Sequence, residues 1–271
     1  MNVRSLLVTL LLWLGGDGLV QAQTPPLVLP NSEVLSIDSR PGVHVPVFVV
    51  WNPQATATLV LFSGGGGGYG AIGADGWPNG QNFLIRSGKL WARHPFNVAM
   101  VGRPSDGIDL HNGAIRIASK HSADNDAVFA AIKARSELPL WLVGTSMGTI
   151  SAAAAAIQNT DNRIAGLVLT SSVTGNRMVG AVPSQALARI RVPTLVVHHL
   201  RDACHVCTPW EAKNIPTALK NAPVKALLLI DEGGGESGDP CEAVHFHGYI
   251  GAEQSVVDQI ARWIEHPQPQ L

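Results

Sequence analysis

One serine stands where a covalent catalyst needs it. Gly144-Thr145-Ser146-Met147-Gly148 matches G-x-S-x-G, the pattern of an elbow that holds a serine on a sharp turn between a strand and a helix. Small residues two positions either side let the chain fold back and lift the hydroxyl clear of the backbone. The apolar run Leu138 to Val143 predicts a strand just before it, and Thr149 to Ala156 begins an Ala-rich helix just after. A helix N-terminus there supplies free N–H groups and a positive dipole end. Five-residue patterns recur by chance, and a serine at an ordinary tight turn is the bland alternative. The strand–turn–helix setting is what gives the motif weight.

A serine hydroxyl is a weak nucleophile and needs a base, and the base needs a carboxylate to fix its tautomer. On such an elbow the partners follow in the order serine, acid, histidine. Asp202 lies just past the apolar run Pro193 to His198, and His245 and His247 come later, between the run ending at Ile230 and the last helical stretch. All lie past predicted strand ends, where open α/β sheets assemble their sites. His247 is preferred over His245, because Gly248 and Tyr249 suit a loop turning into a helix. Asp202 is preferred over Asp231 and Glu232 on chain position. Any one of these alone is more simply a solvated loop residue.

A tetrahedral intermediate needs N–H donors for its oxygen. The N–H of Met147, next after the serine, is one. The loop after the third predicted strand is Ser63 followed by Gly64 to Gly68, and glycine lets backbone approach a carbonyl closely. Gly64 and Gly65, nearest the strand, are the candidates for the second donor. A phosphate cradle is excluded, because no Lys follows the run as a P-loop requires.

The cysteines are Cys204, Cys207 and Cys241. In an oxidising compartment two of them pair, Cys204–Cys241 or Cys207–Cys241, leaving one thiol over. Cys204 and Cys207 also form a C-x-x-C, the spacing of a redox pair. With His198, His199, Asp202 and His205 they resemble a cluster of zinc ligands. No second C-x-x-C or H-x₃-H completes it, and adjacent His198 and His199 on a strand point to opposite faces.

The elements that must carry these residues read as follows. Strands are expected at Glu33 to Ser39, His44 to Trp51, Thr58 to Phe62, Phe96 to Val101, Leu138 to Val143, Ile164 to Thr170, Pro193 to His198 and Val224 to Ile230. Helices are expected at Asn82 to Trp91, Ala123 to Ser136, from Thr149, Ser184 to Arg189, Pro209 to Leu219 and Glu253 to His266. From residue 58 on, short apolar strands alternate with helices. This predicts an α/β domain with a mostly parallel sheet covered by helices on both faces. No repeat or change of composition divides the chain, so residues 23–271 are read as a single domain.

Residues 1–22 read as a signal peptide. Arg4 precedes an apolar run from Leu6 to Leu14, and small or apolar residues at Val20 to Ala22 stand at the cleavage spacing. The run is too short to span a bilayer as a helix, and no Cys follows it to take a lipid. The expected location is therefore periplasmic or secreted. Charged residues make up 14% of the chain, hydrophobic residues 46%, and the net charge is −1. That composition excludes a disordered chain and lacks the basic excess of a nucleic-acid binder.

The chain resembles exported bacterial serine hydrolases of the α/β-hydrolase superfamily. The resemblance rests on Phe62-Ser-Gly-Gly65, Asn82-Phe-Leu-Ile-Arg-Ser87, the Gly144 to Gly148 elbow, His198-His-Leu-Arg-Asp202-Ala-Cys204, Ser237-Gly-Asp-Pro-Cys241 and His247-Gly-Tyr249. It implies an α/β-hydrolase fold with Ser146 as nucleophile, Asp202 as acid and His247 as base. It also implies a Cys204–Cys241 disulfide with Cys207 as an extra thiol. No His-Gly precedes the glycine run, as it does in many lipases. Many relatives insert a lid between Ser171 and Pro193; the segment is short here, so an open site is expected. The implied reaction is ester or amide hydrolysis of a small molecule or a short acyl or peptidyl compound, with no metal or cofactor. The alternatives are a non-catalytic envelope binding protein on the same scaffold, and a metal or redox protein built on the Cys204 to Cys207 loop.

Overall fold

The computed structural model describes residues 31–269; the expected signal peptide lies outside them. Eight strands form one sheet: β1 (Ser32–Arg40), β2 (Val43–Val50), β3 (Ala57–Phe62), β4 (Phe96–Val101), β5 (Leu140–Thr145), β6 (Ile164–Thr170), β7 (Thr194–His199) and β8 (Lys225–Ile230). Their spatial order is β1-β2-β4-β3-β5-β6-β7-β8. β2 pairs antiparallel with β1 and β4, and β4 through β8 run parallel. The chain leaves β3 toward β4 on one side and returns to β5 on the other. The β3/β5 junction is thus a switch point, where the loops after the two strands diverge and leave a crevice.

Among the described residues eight helices accompany the sheet: α1 (Phe83–Arg86), α2 (Gly88–Trp91), α3 (Gly113–Arg116), α4 (Ser119–Lys133), α5 (Met147–Gln158), α6 (Pro209–Ala212) and α7 (Asn214–Ala218) between strands, and α8 (Glu253–Glu265) after the last. Successive strand residues point to opposite faces, and both faces are dry. Leu59 and Leu61 of β3 pack in a core with Trp91 of α2 and Trp263 of α8. Val60 and Phe62 pack in a second core with Phe129 of α4 and Ala152 of α5. This is why the strands read as unbroken apolar runs. Among the described residues, no helix is long and apolar enough to cross a membrane.

The expected strands are present, with ends shifted by a few residues. Three helical expectations are corrected. The stretch Asn82 to Trp91 is two short helices broken at Ser87, where a Cβ on Gly88 would lie 2.5 Å from Met100 Cε. The stretch Pro209 to Leu219 breaks at Lys213. Pro216 has no N–H to bond the carbonyl of Ala212, so the ladder cannot continue. The expected helix Ser184 to Arg189 is a pair of 3₁₀ turns, Val182–Ser184 and Leu187–Arg189. α4 begins at Ser119, ahead of the expected Ala123, because its first turns bury polar His121, Asp124 and Asn125. Asp124 is held by a bidentate pair with Arg40.

Two buried histidines set an acid limit on this fold. His121 bonds Ser151 through Nε2 and has no partner at Nδ1. His198 has no hydrogen-bond partner at either nitrogen. Burial pulls each pKa down from 6.5 to about 4. Between those values the unfolded chain binds more protons, so stability present above pH 6.5 is lost as pH falls toward 4. The unfolding free energy measured in urea is expected to fall steadily from pH 7 to pH 4.5, by up to ~3 kcal/mol per histidine, with the midpoint falling in step. His121→Gln should flatten the slope; a midpoint level across that window would contradict the assignment.

Candidate active site

Ser146 sits between β5 and α5 with φ +52 and ψ −127. A residue with a Cβ is strained in this region and stays there only when its neighbours leave no alternative. Gly148 shows how tight they are, since a Cβ on it would lie 2.0 Å from the Phe62 carbonyl oxygen. α5 therefore packs directly on the end of β3. The Ser146 N–H bonds the Thr170 carbonyl at 3.1 Å, and its carbonyl accepts the Thr149 hydroxyl at 2.6 Å. Met147 is the first residue of α5, so its N–H has no partner in the helix ladder.

The glycine loop lies against this elbow because β3 and β5 end together, with Phe62 opposite Gly144. A Cβ on Gly64 would lie 2.8 Å from Ser146 Cβ, so only glycine fits. The loop is closed by Gly67 N–H to Gly64 O at 3.0 Å and by the Ser63 hydroxyl to Gly68 O at 2.6 Å. Gly64, Gly65 and Ser146 line one cavity of about 450 Å³ that also contains His247, Cys204 and His111.

Asp202 follows β7, and both it and His247 are buried. His247 Nδ1 lies 2.9 Å from Asp202 Oδ2, and Asp202 Oδ1 accepts the Cys204 N–H at 2.9 Å. His247 Nε2 is buried and has no hydrogen-bond partner. His245, two residues earlier, is not among the residues lining the cavity. The rival acids turn elsewhere: Asp231 pairs with Arg201 at 3.1 Å and Glu232 accepts from Ser255 at 2.7 Å.

The histidine loop is held from three sides. The Ser171 hydroxyl donates to the His247 carbonyl at 2.7 Å. Arg86 donates to the Gly248 carbonyl at 2.5 Å and pairs with Glu253 at 2.8 Å. The Tyr249 hydroxyl, fully buried, donates to Val197 O and accepts the Ser171 N–H, both at 3.0 Å. The Cys204–Cys241 disulfide ties the acid's loop to the histidine's.

The expected pairing is therefore present, and Cys204 is not bonded to Cys207 as a redox C-x-x-C would require. Cys207 is a buried free thiol. Burial, with the Asp202 charge, pushes its pKa well up. The six candidate zinc ligands do not converge. His199 is engaged with the Glu232 carbonyl and the Arg201 N–H, and the clusters of possible ligands that form around Cys204 need a sulfur committed to the disulfide.

His111 lines the cavity, and Ser171, Tyr249 and Arg86 brace the histidine loop. Sequence reasoning gave none of them a chemical or bracing role. Arg86 and Tyr249 stood in the motifs that carry the resemblance, whereas His111 and Ser171 meet the site across long stretches of chain and no local spacing marks them.

Solved structures show the same architecture. A dienelactone hydrolase from Anabaena variabilis matches over 88% of this chain and 99% of its own, at 16% identity and TM-score 0.60. The fold is that of the α/β hydrolases. A serine hydrolase homologue from Coxiella burnetii covers 87% of this chain and 98% of its own, at 15% identity and TM-score 0.58. An α/β serine hydrolase without a lid, from Xanthomonas campestris, covers 89% and 95%, at 17% identity and TM-score 0.54. No family model and no curated protein sequence matches the chain. As in an α/β hydrolase without a lid, the segment between β6 and β7 adds only turns, including Met178 at the cavity wall.

Tyr249→Phe would leave the Ser171 N–H and the Val197 carbonyl without a buried partner. A loss of about 1–3 kcal/mol is expected in urea unfolding, and an unchanged midpoint would show that the hydroxyl does not hold the loop.

Proposed function

We propose that the chain is a serine hydrolase that cleaves ester or amide bonds of a small or medium substrate through an acyl-enzyme. The observation that carries this reading is the buried 2.9 Å Asp202–His247 bond, with the far histidine nitrogen free in the cavity that holds Ser146. Ser146 Oγ attacks the carbonyl carbon while His247 Nε2 takes the hydroxyl proton. Asp202 holds the imidazole by Nδ1 and stabilises its charged form. The Met147 N–H and that of Gly64 or Gly65 receive the oxyanion. His247 then protonates the leaving group, and the acyl group passes to water by the same steps. No metal or cofactor takes part. Hydrogen bonds at such sites often tighten only when substrate arrives, so a direct Ser146–His247 bond is not required beforehand.

A lidless cleft of about 450 Å³ suits a small-molecule or short acyl or peptidyl substrate. The similar structures include enzymes named for small compounds, dienelactone and 2,6-dihydroxy-pseudo-oxynicotine. Residues 1–22 acting as an export signal, with delivery to the periplasm or exterior, agrees with the Cys204–Cys241 disulfide.

A fluorophosphonate probe should label Ser146, and His247→Ala should abolish labelling. Asp202→Asn should lower kcat by roughly 10⁴ with the fold intact. An unlabelled wild type would favour a binding protein on a hydrolase scaffold. Labelling that survives His247→Ala would rule out His247 as the base.

A further inference from the structure

Arg116 ends α3 and is 2% exposed. A buried cation is normally matched by a carboxylate. Arg116 makes no ion pair among the described residues; Asp109 only acts on it through space. Burial pulls its pKa down to about 9, which leaves it charged at neutral pH. Its donors go to uncharged oxygens instead: Nε to Leu110 O at 2.7 Å, Nη1 to the Ser151 hydroxyl at 2.9 Å, and Nη2 to Gly65 O at 2.8 Å and Ser63 O at 3.5 Å.

Two of those acceptors belong to the glycine loop and one to α5. In a trans peptide the N–H points opposite to the C=O. The 2.8 Å bond to the Gly65 carbonyl therefore orients the Gly66 N–H and anchors the loop, and the longer 3.5 Å contact with the Ser63 carbonyl acts on the peptide that carries the Gly64 N–H. Ser151 stands one turn along α5 from Met147, whose N–H is the other expected donor. One guanidinium thus grips both halves of the oxyanion site while staying outside the cavity lining.

We propose that Arg116 is the positioning residue of the oxyanion hole: it fixes the Gly64 N–H relative to that of Met147, and its unmatched charge favours the negative oxygen that develops between them. This inference rests on the serine hydrolase reading. The cost of burying an unpaired cation is offset when the reaction supplies an anion next to the peptides it holds.

The test compares wild type, Arg116→Met and Arg116→Lys, with active sites counted by fluorophosphonate labelling. The readouts are p-nitrophenyl acetate turnover and inhibition by phenylboronic acid, whose serine adduct places an oxygen in the hole. Arg116→Met is expected to lose about 100-fold in kcat per labelled site, with KM within threefold and boronate affinity falling in parallel. Arg116→Lys should recover part of both. A residue that merely supports the fold would reduce the number of labelled sites or the melting temperature and leave kcat per site and boronate affinity alone; that result overturns the proposal. If Arg116→Met does not fold, the lysine variant decides: a parallel loss of tenfold or more supports the proposal, and wild-type values overturn it. A wild type unlabelled at Ser146 overturns the hydrolase reading and this inference with it, which separates the two failures.

Discussion

Ser146 keeps a left-handed backbone because three pieces of chain leave it nowhere else to go. β5 delivers it, α5 starts on the next residue, and the end of β3 lies so close behind that Gly148 has no room for a Cβ. Relaxing that turn would push α5 off the sheet and open the core around Val60, Phe62 and Ala152. The strain, of order 1–3 kcal/mol for such a backbone, is thus carried by a large apolar contact. The same crowding fixes the glycine loop, since Gly64 can lie over Ser146 only without a side chain of its own.

Around this rigid corner the other site residues come from separate strand ends. Asp202 follows β7, His247 follows β8, and β6 lies between them and the elbow. Ser171, at the end of β6, and Tyr249 bridge these strands by hydrogen bonds to backbone. The backbone of the histidine loop is therefore referenced to the sheet rather than to its own flexible neighbours. Phe246 adds to this by stacking on the His199 ring, 4.6 Å away, and by packing against the Arg201 guanidinium, 4.2 Å away.

The sheet and the main chemical positions were legible in the sequence for a physical reason. Strands covered on both faces leave unbroken apolar runs, and Ser146 and Asp202 stand just after two of them, so these candidates could be picked by position; His247 lies well beyond β8 and was picked by chain order and by the Gly248-Tyr249 that follows it. Helix limits were harder to read. The break at Lys213 follows from Pro216, which was visible, but the break at Ser87 has no such marker in the local sequence; there Gly88 packs so close to Met100 of β4 that a Cβ would not fit. α3 was missed because its four residues show no periodicity. Arg116 and His111 were invisible as site residues, because their relation to the glycine loop exists only after some fifty residues of intervening chain have folded back.

The buried thiol of Cys207 has a consequence for how the chain matures. In the unfolded chain Cys204 meets Cys207, three positions away, more readily than Cys241, whose sequence separation is 37. Oxidation that precedes the pairing of β7 with β8 therefore favours the short bridge, and the native bond must then arise by thiol exchange. Completion of the fold ends the competition, because Cys207 is sealed away from water and its thiol is kept protonated, while the thiolate is the attacking species. The native bridge is thus locked in by tertiary structure, and a disulfide-exchange catalyst could act only before the fold closes over Cys207.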